Sequence, residues 1–224
     1  MKFKTGKYLF FFCLAGLGFS ACKINNDAPD VTTTASINVV NLVVNSSFIN
    51  YYSNGTRQNS YKLGYSLASS YLTVTAGEQT TTIKDTTYTN IYSADQTLTR
   101  NLSYTLLVAG QSKQAVSGIM LTDTAVAVTG KVKARFINAS ADAPAVDVYF
   151  NNVSVTNTSY KSISKFAMVD TGAVTIKINQ AGTNTSILNK TFTLSSGGVY
   201  TFYAYGLYSG SGTNAFSLGE IINH

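Results

Sequence analysis

The chain has 224 residues, 45% of them hydrophobic and 12% charged, with 15 Tyr, 12 Phe, no Trp and a formal net charge of +6. That apolar fraction excludes a disordered chain, and 17 Gly with only 2 Pro exclude a collagen-like or Pro-rich one. A lone His, His224, leaves little material for catalytic metal chemistry, while the positive charge admits a nucleic-acid or anionic-surface partner.

Residues 1–21, MKFKTGKYLFFFCLAGLGFSA, place Lys2, Lys4 and Lys7 before an uncharged stretch from Tyr8 to Ala21. Its apolar centre is shorter than the ~20 residues a bilayer requires, and the layout is that of a secretory signal peptide. The ending FSAC resembles the lipobox of bacterial lipoproteins, with Phe19 where leucine is usual. That resemblance implies cleavage before Cys22, acylation of its thiol and new amine, and an outer-membrane lipoprotein of a Gram-negative cell envelope. Lys23 rather than an aspartate follows the cysteine, in keeping with the outer membrane, and the leaflet faced is left open between periplasm and surface. Cys13 leaves with the leader, so the mature chain keeps one cysteine and can form no intramolecular disulfide. Three of the 16 basic residues leave with it and no acids do, which reduces the charge to +3 against 10 acids.

Residues 22–34 are polar and read as a lipidated tether. From Ala35 onward, runs such as SINVVNLVV, SYTLLVAG, AVTIKIN and GVYTFYAYG alternate with Asn, Gly and Ser clusters, which predicts an all-β sandwich. The chain also repeats. VVN (39–41) matches FIN (136–138), NYY (50–52) matches DVY (147–149), SYK occurs at 60–62 and 159–161, and LTVT (72–75) matches VTIK (174–177). TLTRNLSYTLLVAG (97–110) and TLSSGGVYTFYAYG (193–206) share T-L-x5-Y-T-x4-G. The expectation is two tandem modules from an internal duplication, 35–128 and 129–224, stacked end to end across a short junction. Tyr104 and Tyr200, each six residues after a Leu, resemble the tyrosine corner of immunoglobulin-like sandwiches.

The second copy opens with KVKARFINASADAPAVDVYFNN (131–152). Its Asn138, Ala139, Ser140, Asp142, Ala143, Pro144, Val146, Asp147, Val148 and Tyr149 resemble domain-of-unknown-function family 4397. The first copy keeps Asn41, Asn50 and Tyr52 but lacks the Asp-Ala-Pro turn. The resemblance implies secreted, often lipid-anchored, immunoglobulin-like or transthyretin-like antiparallel β modules, and no activity. Asp142 and Pro144 read as a turn and Asp147 as a loop-pinning residue. A Ca²⁺ role for the two carboxylates is disfavoured, because a cage needs 6–8 oxygens.

No catalytic set emerges. The folded part has no cysteine nucleophile, no G-x-S-x-G and no zinc spacing, so the chain reads as no enzyme, with no cofactor and no metal. Lys131, Lys133 and Arg135 share one face of a strand and read as a solvated edge rather than a nucleic-acid stripe. Tyr203 and Tyr205 alternate away from Tyr200 and Phe202, and with Tyr208 they are the candidate ligand contacts, since exposed rings stack on sugars or anchor proteins. Asp-Thr-Thr (85–87) and Asp-Thr-Ala (123–125) resemble a bacterial O-glycosylation signal. The expected function is non-catalytic recognition or scaffolding at the envelope, held to the membrane by its lipid anchor and contacting a glycan or an envelope protein, with no nucleic acid. The alternatives are a structural subunit of an envelope assembly or surface fibre, and a glycan-active enzyme.

Overall fold

The structure is a computed structural model that describes Met1 and residues 33–223; the leader, Cys22, most of the tether and His224 lie outside the described residues. The first module comprises β1 (Thr34–Val43), β2 (Phe48–Ser53), β3 (Thr56–Arg57), β4 (Leu63–Gly64), β5 (Ala68–Thr75), β6 (Gly77–Asp85), β7 (Asn90–Leu98), β8 (Ser103–Gly110) and β9 (Val116–Thr122). The second comprises β10 (Val132–Asn138), β11 (Val146–Phe150), β12 (Val153–Thr158), β13 (Ala167–Val169), β14 (Gly172–Gln180), β15 (Ser186–Leu194), β16 (Val199–Tyr205) and β17 (Ser217–Ile222). Among the described residues the sole helical element is a 3-10 turn at Gly212–Asn214.

The protein is all-β, and its sheets repeat. Sheet order β5-β1-β8-β9 in the first module becomes β13-β10-β16-β17 in the second; β3-β2-β6-β7 becomes β12-β11-β14-β15. Each module adds one parallel pair to otherwise antiparallel sheets, β1 with β8 and β10 with β16. The hydrogen bonds repeat as well. The Asn41 and Asn138 carbonyls accept from Ser66 and Lys161, and the Val39 and Phe136 amides donate to Ser69 and Ser164 Oγ. This equivalence corrects two of the sequence matches. LTVT lies on β5 whereas VTIK lies on β14, the counterpart of β6, and Tyr-Lys at 61–62 is four positions out of register with Tyr-Lys at 160–161.

Local chemistry explains the shared T-L-x5-Y-T-x4-G. Leu98 and Leu194 are core residues. The Tyr104 hydroxyl accepts from the Thr99 amide at 2.9 Å, and the Tyr200 hydroxyl from the Ser195 amide at 3.1 Å. The terminal glycines are sterically required: a Cβ on Gly110 or Gly206 would lie 2.2 Å from the carbonyl oxygen of Ala115 or Ala215, and Gly206 also has φ +83°. Tyr104→Phe and Tyr200→Phe are each expected to cost about 1–2 kcal/mol, because a loop amide loses its acceptor. Urea denaturation checks this, and unchanged midpoints would reject the corner as a stabilising device.

Each module has its own core between its two sheets. Ile37, Ile49, Tyr51, Ile83 and Leu106 lie in the first, and Phe136, Val148, Phe150, Ile176 and Phe202 in the second. A third cluster joins Val40, Leu42, Leu107, Ala109, Ile119 and Leu121 of the first module to Ile137, Ala139, Tyr203 and Ile221 of the second. The modules therefore pack face to face through their β1- and β10-containing sheets, not end to end, and the described residues 33–223 form a single compact unit of four layers. The physical reason is that the outward faces of these sheets carry Val40, Leu42, Leu107, Ala109, Ile137 and Tyr203, which would otherwise expose a contiguous hydrophobic patch.

Candidate functional site

The seam between the two inner sheets holds most of the residues that the sequence nominates for binding. Tyr203 does alternate away from Tyr200 and Phe202, but what covers it is the first module. It is 5% exposed, and its ring lies against Gly219, where a Cβ would stand 2.4 Å from the ring carbon Cζ. Tyr203 is therefore a packing residue, and burial drives its hydroxyl pKa upward. Tyr205, half-buried, meets Tyr65 of the first module edge-on at 6.0 Å. Burial, then Tyr205, pushes the Tyr65 pKa up to about 12. Of the three candidates only Tyr208 is exposed, at 41%, and its amide donates to Asp142 Oδ1 at 2.8 Å.

The other end of the seam is polar. Asp123 accepts from Arg135 Nη2 (2.5 Å), Thr105 Oγ1 (2.7 Å), the Tyr71 hydroxyl (2.8 Å) and Asn223 Nδ2 (2.8 Å). Arg135 Nε also donates to Thr201 Oγ1 at 2.8 Å. Arg135 is thus a buried clasp between modules, not part of a solvated basic edge. Of the same trio Lys131 pairs with exposed Asp170 at 2.6 Å, so no basic stripe exists there. Burial, and then the Asp123 charge, raises the Tyr71 pKa.

The Asp-Ala-Pro turn is occupied by structure. Asp142 Oδ1 takes the Ser140 hydroxyl and the Tyr208 amide, and the Pro144 carbonyl takes Asn138 Nδ2. Asp147 offers Oδ1 to the Asn157 amide at 2.7 Å and Oδ2 to the Gly182 amide at 2.8 Å. Both of its oxygens pin loops. Among the described residues no group of three His, Cys, Asp or Glu is placed to hold a metal.

The two Asp-Thr segments also have structural work. Asp123 is the clasp just described. Asp85 closes a tight turn at the β6–β7 junction, binding the Thr87 hydroxyl and amide, the Thr89 amide and, at 3.0 Å, Lys113. The Thr87 hydroxyl and Lys113 hold its carboxyl well below the usual range. The unfolded carboxyl titrates near about pH 4. Its contribution is therefore full above that value and lost as pH falls through the depressed folded value. Asp85→Asn is expected to lower stability at neutral pH and to flatten the acid limb below about pH 4. Urea midpoints measured down to about pH 2 check the sign, and an acid limb unchanged in the variant would contradict it.

The outer sheets present the remaining surfaces. In the second module a depression of about 390 Å³ is lined by Tyr149, Asn151, Thr175, Lys177, Asn179, Asn184 and Asn189. Tyr149, Lys177 and Asn189 are direct cross-strand neighbours on β11, β14 and β15. The corresponding face of the first module holds Asn54, Glu78, Thr80 and Asp95, with Asp95 bonded to Thr80 at 2.7 Å. Sequence reasoning passed over this set because its members sit on three strands whose register no local pattern supplies. The one local signal was the pairing of NYY with DVY, which places Tyr52 and Tyr149 at equivalent positions.

A model of the family described as a domain of unknown function (DUF4397) matches residues 35–149 and 132–217. The chain belongs to this family. The two DUF4397 matches overlap over 132–149, the segment with the Asn-Ala-Ser and Asp-Ala-Pro turn that the first module lacks. None of the curated proteins matches the chain.

Proposed function

We propose that this DUF4397 chain is a non-catalytic recognition protein of the bacterial cell envelope, anchored to the outer membrane through lipidated Cys22 and binding through its outer sheets. The observation that carries the reading is the fusion of the inner sheets. It consumes the apolar faces of both modules and leaves two polar outer faces as the broad sheet surfaces open to a partner. A rigid pair of modules on a short tether suits presentation of a binding face rather than chemistry, and the sequence offers no nucleophile–base pair. The partner is a glycan or an envelope protein, not nucleic acid.

Two measurements test it. Labelled fatty acid should enter the wild-type protein and not Cys22→Ala; labelling that survives the substitution contradicts the anchor. The mature Cys22→Ala chain should bind isolated envelopes saturably, and a failure to do so contradicts recognition.

One observation favours a second reading, a subunit of an envelope assembly. The outer sheets end in the nine-residue edge strands β7 and β15, long enough to template strand addition. Concentration-dependent polymers in sedimentation would support it, and a strict monomer would oppose it.

A further inference from the structure

The geometry points to an oligosaccharide site on the outer sheet of the second module, suited to a sugar bearing a carboxylate or sulfate. The inference rests on the recognition reading and assigns the partner's chemistry. Tyr149, Lys177 and Asn189 form a row across three adjacent strands, a span of about 10 Å, comparable to two linked sugar rings. A half-buried tyrosine on such a row offers its face to the C–H side of a pyranose. Among the described residues the side chains of Asn184, Asn189 and Lys177 make no hydrogen bond or ion pair, which leaves their donors and acceptors for hydroxyls.

Asn179 lines the same depression and is only 2% exposed, yet its Oδ1 has no hydrogen-bond partner. A buried oxygen left without a donor is costly, and a sugar hydroxyl would satisfy it once the side chain turns toward the depression. Asn50 Oδ1 of the first module is unpartnered too, but there the Lys84 ammonium lies over the neighbouring Tyr52 ring. Asn179 also sits at an irregularity of the β14–β15 ladder, a place where strands re-aim side chains toward sites.

The first module is a built-in contrast. Tyr52 occupies the position equivalent to Tyr149, but the Lys84 ammonium lies over its ring at 4.7 Å. The register that pairs Asn50 with Lys84 pairs Asp147 with Asn179. In the second module a short amide thus takes the place of the covering lysine, and among the described residues no cation lies over the half-buried Tyr149 ring. The charge differs too: Glu78 and Asp95 border the depression of the first module, whereas Lys177 is the one charged residue lining that of the second. That contrast selects anionic over neutral sugars and assigns the site to one module of the two.

Calorimetric titration of the mature Cys22→Ala chain with an oligogalacturonate hexasaccharide and with maltohexaose tests the assignment. The uronate should bind at least tenfold more tightly than the neutral sugar. Tyr149→Ala should weaken uronate binding at least tenfold, Lys177→Gln should erase the preference for uronate, and Asp95→Ala should change neither affinity. Circular dichroism of each variant separates lost binding from lost folding; should Tyr149→Ala not fold, Tyr149→Leu carries the same test. Absence of binding to either sugar, or binding indifferent to position 149, overturns the site; tighter binding of maltohexaose overturns the anionic assignment. Saturable envelope binding that survives Tyr149→Ala would overturn this site and leave the recognition reading standing.

Discussion

Asp123→Ala should lower the unfolding free energy by about 3–5 kcal/mol, the range for removing one partner of a buried ion pair. The side chains of Asp123 and Arg135 are 0% and 7% exposed. Removing the carboxylate strands the Arg135 guanidinium in the seam and leaves Tyr71, Thr105 and Asn223 short of an acceptor. The cost comes mostly from the stranded charge, not from the net worth of the pair. Consequently the double variant Asp123→Ala/Arg135→Met should lose less than the sum of the single losses, because it buries no unpaired charge. Urea denaturation of the four species gives the coupling energy. A single-variant loss below about 1 kcal/mol would place the pair in solvent instead.

Tyr203→Ala should cost a further 3–5 kcal/mol or about that, as expected for truncating a large buried side chain. The ring fills the seam between β16 and β17 on one side and Leu107, Ala109 and Ile119 of the facing module on the other. Gly219→Ala approaches the same contact from the opposite strand. Its methyl would overlap the Tyr203 ring, itself only 5% exposed, so a loss of about 1–3 kcal/mol is expected. Tyr208→Ala is the control. That exposed residue should change stability by no more than about 0.5 kcal/mol. A Tyr203→Ala variant as stable as Tyr208→Ala would mean the seam does not hold the modules together.

Much of the fold is legible in the sequence because it is written locally. Period-2 alternation identifies strands such as β14, a run of Val, Thr, Tyr and Phe identifies β16, and the paired Leu, Tyr and Gly of 97–110 and 193–206 mark the same corner in each copy. Alternation also places Tyr203 and Leu107 on the face opposite Tyr200 and Leu106. What it leaves out is which layer covers that face, since that depends on contacts between strands nearly 100 residues apart. One local hint existed: β1 from Ile37 to Val43 is apolar at every position but Asn38 and Asn41, the pattern of a strand buried on both sides. Arg135 misled for a related reason. Its alternation with Lys131 and Lys133 fixes a shared face, but its partner Asp123 lies beyond the strand, in the connection between modules. The polar row of Tyr149, Lys177 and Asn189 was invisible, because it exists only once β11, β14 and β15 pair in their particular register.

The central claim is that the two modules fold as one body through their inner sheets, leaving the outer faces for binding. Differential scanning calorimetry of the mature Cys22→Ala chain tests it most directly. One transition is expected, with equal calorimetric and van't Hoff enthalpies, and Asp123→Ala and Tyr203→Ala should each move the whole of it to lower temperature. Two transitions, with either substitution moving only one of them, would contradict it.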